Sequence, residues 1–389
     1  MGKIVPNTAD VAVIGAGAIG LCCAISLAER GARVALIERA LPGAANSTLT
    51  GGGIRQQFGT MPNIAMSLRS APFWDRFTDR FGVDPLFRDV GYLFLGKTEA
   101  EVELLATQVA LQRECGIDSE LLDASELTRR WPALAGRDFQ TGAFRQRDGW
   151  ANQQRIIDGL YRGALALGVS IHVGTECLSL VDTQNRITGV QTTTGQFSAD
   201  AVVLATGPWV RGLLDPFGLS VPVAGHRHEL LIVEPAEPIP DGLPWLIGVG
   251  AQVHMRPDAP GRVLLGGFLG HDEAVDPDNY ATGVDSSWAQ RAIATAATLF
   301  GIVDSRSVIR HGWAGLYPAT PDRLPIIDRL ASGLYSALGF SGTGLMHAPA
   351  AGELIAELVL DGEMNHDCAT WFSAARFSAA ARKAERTGF

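Results

Sequence analysis

Three observations predict an α/β fold of two interleaved domains. A short apolar run at residues 11–14 stops at a glycine turn, resumes as a stretch of helical periodicity, and leads to a second apolar run that ends at Glu38. Another apolar run, residues 202–204, also stops at a glycine turn, Ala205-Thr206-Gly207. Between residues 216 and 310 the pattern changes to alternation broken by prolines and glycines, as in HELLIVE at 228–234 and RVLL at 262–265. Continuous apolar runs suit parallel strands buried on both faces, whereas alternation suits antiparallel strands with one wet face.

The first unit is the most informative. Residues 15–20 read Gly-Ala-Gly-Ala-Ile-Gly, a GxGxxG turn between strand and helix. Gly15 suits the tight turn, Gly17 a close approach of backbone to a pyrophosphate, and Gly20 close packing of helix on strand. Ala18, Ile19 and Gly20 open the helix, whose unpaired N–H groups and positive dipole end attract phosphate. Glu38 lies 38 − 20 = 18 positions beyond Gly20, near the offset at which an acid takes the ribose hydroxyls and rejects a 2′-phosphate. This Rossmann-like unit binds NAD or FAD, and by itself leaves that choice open.

After Glu38 and Arg39, the loop RALPGAANSTLTGGGIRQQFG precedes a helix. Asn46, Ser47, Thr48 and Thr50 can cap that helix and offer donors to phosphate, while Gly51, Gly52 and Gly53 let backbone lie against a flat ring. The plainer alternative is an ordinary glycine-rich loop. Residues 61–130 read as helices around one short strand at 90–95, with Asp123 and Ser125 as caps. A helix at 155–167, a strand at 169–173 and a hairpin at 178–181 and 187–192 follow. The Thr206-Gly207 turn is then a second contact to the nucleotide. A helix at 287–300 forms the edge of the antiparallel region. The C-terminal part repeats the opening motif: strand 335–338, glycine loop 339–344, helix 349–360.

A net charge of −9 without a clustered basic or acidic run disfavours nucleic acid and anionic membrane surfaces as partners. Cys22, Cys23, Cys115, Cys177 and Cys368 lack CxxC spacing, which suggests neither a disulfide framework nor a zinc site but reduced thiols. The N-terminus has no apolar signal core and no run reaches the ~18 apolar residues of a membrane span. A cytoplasmic protein is expected, with peripheral membrane association left open.

Taken together and in this order, GAGAIG with Glu38, TGGGIRQQFG, VVLATGPW, WAGLYPATPDRLPIID and ALGFSGTGLMHAPAAG resemble the FAD-dependent amine oxidoreductases. That family includes D-amino acid oxidase, glycine oxidase, monomeric sarcosine oxidase and the β subunits of sarcosine oxidase, proline dehydrogenase and opine oxidase. The resemblance covers essentially the whole chain and is greatest to the β-subunit branch, with its GGIRxxF and GFSGxGxMxxPA patterns. It implies a Rossmann-like FAD-binding domain (residues 9–80, 145–215 and 311–389) and a substrate domain (81–144 and 216–310). FAD is then extended and non-covalent, its ribose on Glu38 beside Arg39 and its pyrophosphate over Gly15, Gly17, Ala18, Ile19 and Gly20. Asn46, Ser47, Thr50, Cys177, Thr206, Gly207, Trp209 and Gly315 line its course. The isoalloxazine lies near Gly52, Gly53 and the loop Gly342, Thr343, Gly344, Leu345 and Met346. Such enzymes move a hydride from the carbon next to an amine nitrogen to flavin N5, and the imine hydrolyses.

The resemblance also assigns substrate residues. Arg55 corresponds to the arginine that holds the substrate carboxylate in sarcosine oxidases, and a guanidinium fork matches a carboxylate bidentately; a surface salt bridge is the bland alternative. Met346 stands where those enzymes carry a second, lysine contact, and Tyr317 where glycine oxidase carries an arginine, so the substrate is larger or differently held. Gly315 replaces a flavin-linked cysteine. Leu264 replaces a lysine credited with oxygen activation, which makes a dehydrogenase passing electrons to a quinone or partner subunit as good a reading as an oxidase using O2. His254 and His347 are candidate acid/base or substrate contacts, against the alternative of structural histidines. His226 and His228 share a strand face, but no third ligand for a metal is found, so they read as satisfied polar residues near the flavin. Two other readings stay open: an FAD-carrying β subunit or assembly module with little activity alone, and an NAD-linked dehydrogenase.

Overall fold

The apolar runs that precede the glycine turns lie side by side in one sheet. Five parallel strands run in the order Leu334–Leu338, Gly195–Leu204, Asn7–Ile14, Val34–Glu38 and Ser170–Val173, with Ile326–Ala331 added antiparallel beside the first. The computed structural model describes residues 7–269, 272–364 and 369–378. Cys368, the first six residues and the last part of the expected FAD-binding domain lie outside them. Ile14 pairs with Leu204 and Leu204 with Ser336, so the carboxyl ends of three strands are level. Their turns open on one crevice, the place where an open parallel sheet binds its ligand.

Helices Ala18–Glu29, Gln153–Ala166 and Gly344–Leu360 bury their apolar residues in one core on this sheet. The first and last of them are very close: a β-carbon on Gly352 would come within 2.4 Å of the Cys22 carbonyl oxygen.

The second sheet runs in the order Ala274–Val275, Ala224–Glu234, Arg262–Gly267, Val253–Ala259, Trp245–Gly248, Tyr92–Gly96, Thr141–Arg145 and Glu120–Asp123, with Val308–Ala319 also paired to Ala224–Glu234. All pairs are antiparallel except Trp245–Gly248 with Tyr92–Gly96. Helix Ser286–Phe300 lies on its face rather than at its edge, because Trp288, Ala292, Ala296 and Phe300 all point into the core of that sheet.

Three other features differ from the sequence reading. The boundary expected at residue 311 falls inside the strand Val308–Ala319, which starts exposed beside Glu234 and ends at the crevice. Glu120–Asp123 is a strand, too short for its Leu121-Leu122 pair to show a period. The last helix begins at Gly344 and not near Pro349, so the glycine loop runs straight into a helix N-terminus. A proline normally marks a helix start or break; here it sits within the second turn.

Candidate active site

A cavity of about 940 Å³ lies between the two sheets. At one end Gly15, Gly17, Ala18 and Ile19 form its wall. Gly15 has φ +101°, and a β-carbon there would lie 2.6 Å from the Ala205 carbonyl oxygen. Gly20 stands behind the wall, where a β-carbon would meet the Gly15 carbonyl at 1.8 Å. Glycine at 20 therefore lets the helix close on the turn, and glycine at 15 lets the turn lie against the end of the neighbouring strand.

The Glu38 carboxylate lines the cavity and is locked by the N–H groups of Ala16 (2.7 Å) and Ala40 (2.8 Å). Each oxygen keeps a lone pair for a ribose hydroxyl. Ser47 and Asn46 also line the cavity, but they do not cap the following helix, which spans Met61–Asp75 after Thr60. The loop turns back instead: Ser47 Oγ accepts the Ala18 N–H (3.0 Å) at the glycine turn, and Asn46 Oδ1 accepts the Leu316 N–H (2.9 Å) of the second sheet. Thr48 donates to the Gly43 carbonyl (2.8 Å).

Midway, Thr206, Gly207 and Cys177 line the wall. Thr206 Oγ1 is buried with no hydrogen-bond partner among the described residues, the sort of orphan that a bound ligand satisfies. Burial pushes the Cys177 thiol up to about 12, so it stays protonated and unreactive. Trp209 and Arg39 stand at the rim, with the guanidinium 4.2 Å over the indole.

At the other end Thr50, Gly315, Tyr317, Gly342, Gly344 and Leu345 line the same cavity. Gly315 presents no sulfur to a bound ring. Thr343 lines neither this cavity nor its side recess; its hydroxyl donates to the Phe340 carbonyl (2.7 Å). Of the two expected loop glycines, Gly53 lines the side recess and Gly52 lines neither space. A β-carbon on Gly52 would lie 2.2 Å from the Ala151 carbonyl and one on Gly53 2.1 Å from the Tyr92 hydroxyl, so protein atoms fill that space.

A side recess of about 30 Å³ shares Thr50, Leu230, Tyr317, His254, Gly342 and Leu345 with the main cavity. Arg55, Gly51, Gly53, Tyr92, Phe94, Trp245, Ile247 and Met346 complete it. Arg55 is only 3 % exposed; its guanidinium lies 4.0 Å over the Phe58 ring and donates to the Gln57 carbonyl. The segment that carries it is fixed by Asp148, which accepts the N–H groups of Gln56 (3.0 Å) and Gln57 (3.3 Å) and pairs with Arg145 (2.5 Å). Burial nonetheless raises the Asp148 carboxyl above its ordinary value, against the pull of Arg145 and Arg55. Met346 and Leu264 bring no ammonium: Leu264 is buried against Gly51 and lines neither space.

The histidines behave differently from one another. His254 borders both spaces and accepts the Trp245 indole N–H at Nδ1 (3.3 Å). Burial drives its imidazole down to about 3, as it does for His347 and His228. All three imidazoles are therefore held in the neutral form near neutral pH. His347 lines neither space; it packs 5.0 Å from the Phe58 ring, and neither ring nitrogen has a hydrogen-bond partner among the described residues. A direct substrate contact from His347 is therefore not what the geometry provides. His226 is satisfied by Asp272 (2.9 Å), whereas His228 Nε2 lies 3.9 Å from the same carboxylate and has no hydrogen-bond partner among the described residues. His228 lines the main cavity between Tyr317 (4.2 Å) and Phe268 (4.4 Å). Burial also pushes the Tyr317 hydroxyl up to about 12.

Sequence reasoning missed Tyr92, Phe94 and Trp245 as recess walls and Asp148 as the brace. The pairing of Trp245 with Tyr92 joins residues far apart in the chain, and nothing local signals it. Among the described residues no helix is long and apolar enough to cross a membrane, and no three His, Cys, Asp or Glu side chains are placed to hold a metal.

The site residues fit an extended dinucleotide: a glycine-lined helix start, a fixed acid 18 residues on, an orphaned hydroxyl, and a second glycine-walled end. Glycine oxidase of Pseudomonas putida is 29% identical over 367 residues, covering 91% of this chain and 95% of that protein. Sarcosine oxidase subunit beta of Rhizobium meliloti is 26% identical, covering 91% of this chain and 85% of that one. The crystal structure of L-proline dehydrogenase from P. horikoshii superposes with a TM-score of 0.87 at 27% identity, over 96% of this chain and 99% of that chain. The profile of the DAO family, described as FAD dependent oxidoreductase, matches residues 10–358. The chain belongs to this family: it is an oxidoreductase whose cofactor is FAD.

Proposed function

We propose that the chain oxidises an amino acid or secondary amine, such as an N-substituted, proline-like or opine-like amino acid, at the carbon next to nitrogen. The observation that carries this reading is Arg55. A guanidinium in an aromatic recess adjoining the flavin cavity suits one carboxylate, because its planar fork matches the two carboxylate oxygens. Bound FAD supplies the two-electron acceptor, held by the glycine-walled turns. Arg55 fixes the carboxylate, and Tyr92, Trp245 and Tyr317 exclude water and orient the rest of the substrate. Burial keeps the three histidines at or behind the site neutral. An amine that enters unprotonated gives up hydride without a general base, and the imine product hydrolyses.

Similarity to a sarcosine oxidase β subunit supports a second reading, in which the chain works within a hetero-oligomer and passes electrons to a partner subunit or quinone in place of O2. One experiment addresses both: anaerobic mixing of the purified holoprotein with N-alkyl amino acids, D-amino acids, prolines and opines. Bleaching of the flavin by one of them supports the oxidation, and air then separates oxidase from dehydrogenase by the rate of recolouring. No bleaching across the panel overturns activity of the single chain and favours the subunit reading.

A further inference from the structure

A strap from the second domain crosses the rim of the cavity at its nucleotide end. It starts where Asp272 pairs with His226 (2.9 Å) and with Arg323, continues as Ala274–Val275 paired to Gly225–His226, and ends where Arg227 donates to the carbonyls of Ala281 (2.7 Å) and Gly283. Between these anchors Val275, Asp276, Pro277 and Asp278 face the cavity. The turn is stiffened by Asp276, whose Oδ1 accepts the Asp278 N–H (3.0 Å).

Asp278 reaches the other domain. Its carboxylate accepts the Trp209 indole N–H (2.8 Å) and lies 3.6 Å from the Arg39 guanidinium, which itself stacks on Trp209 at 4.2 Å. Arg39 follows the ribose-binding Glu38, and Trp209 follows the Thr206-Gly207 turn. The three side chains therefore join the two walls between which the nucleotide must pass. Neither wall needs this contact for its own folding: both Arg39 and Asp278 are substantially exposed.

We infer that Asp278 is a cofactor clasp, a positioning residue on the 272–283 strap that draws Arg39 and Trp209 together over the nucleotide and slows the escape of FAD. An exposed charge pair is weak alone. Here the charge-assisted hydrogen bond to the indole and the stacked guanidinium act on the same carboxylate, and each must open before the rim can widen.

The test reads flavin release from the holoprotein after dilution, followed by the fluorescence of free flavin. Asp278→Ala is expected to release FAD roughly three- to tenfold faster, the size set by one exposed ion pair and one charge-assisted bond. Asp278→Asn, which keeps an acceptor for Trp209 but loses the charge facing Arg39, falls between. Salt at about 1 M should speed release from the wild-type protein and hardly alter Asp278→Ala, because an exposed pair is screened. Asp361→Ala, which removes a remote exposed pair with Arg30, serves as control and leaves release unchanged. Wild-type release from Asp278→Ala, or equal salt effects on both proteins, would overturn the clasp. Turnover is not read, so an error in the substrate assignment cannot imitate either result.

Discussion

Arg55 lies in a recess walled by Tyr92, Phe94 and Trp245, and in the proposed reaction it takes the substrate carboxylate. The histidines respond to burial by giving up charge altogether. His228, His254 and His347 have folded values lowered from the ordinary 6.5 to about 3, with desolvation as the main cause in each. The unfolded chain takes up protons as pH falls through about 6.5 while the folded chain does not, so stability is full above that pH and is lost between it and 3. The expected slope approaches ~1.4 kcal/mol per pH unit for each histidine. Urea melts at pH 7.5 and 5 should show it, and His347→Phe should flatten the slope by about one histidine while leaving KM unchanged. A stability that does not vary over this range would contradict the neutral, buried state. None of this is legible in the sequence, where His254 and His347 look like candidate acid/base groups and His228 like a satisfied one. A histidine's role depends on what surrounds its ring, and those neighbours come from other strands.

At the scale of elements, the glycine turns were the most legible feature because each has a local cause. Gly20 is dictated by the Gly15 carbonyl within the same strand–turn–helix unit and Gly15 by its own φ of +101°, although the Ala205 carbonyl that also excludes a β-carbon there belongs to a neighbouring strand. The loop at 44–53 was less legible. Its hydroxyl and amide residues look like caps for the next helix, yet Ser47 serves the first helix and Asn46 the second sheet. The Arg55 segment shows how a remote element fixes a side chain of the recess. Asp148, almost fully buried, takes two of its backbone N–H groups and the Arg145 guanidinium. Asp148→Ala leaves Arg145 with only its exposed partner Asp118 and frees the segment. It should cost about 3–5 kcal/mol of stability, as loss of one partner from a buried pair does, and raise KM for an amino acid. A fall in stability with unchanged KM would show that the brace does not set the position of Arg55.

At the scale of the molecule, two sheets close on one cavity, and a single strand, Val308–Ala319, passes from the outer edge of the second sheet to the wall at Gly315 and Tyr317. Its motif reads as part of the first domain because its inner half serves the cofactor cavity, although its pairing belongs to the second sheet. That is why a linear division of the chain at residue 311 does not follow the strands. The central claim is that this arrangement aims an amino acid by its carboxylate at Arg55 with its amine carbon toward the flavin. It is tested most directly by anaerobic reduction of the bound flavin in wild-type and Arg55→Ala proteins, with an amino acid that bleaches it and with the matching amine that lacks the carboxylate. The account predicts that Arg55→Ala weakens the amino acid by about 2–4 kcal/mol, a ~30- to ~900-fold rise in its dissociation constant, and leaves the carboxylate-free amine unchanged. Equal affinity of both proteins for the amino acid, or an equal loss for both compounds, would contradict it.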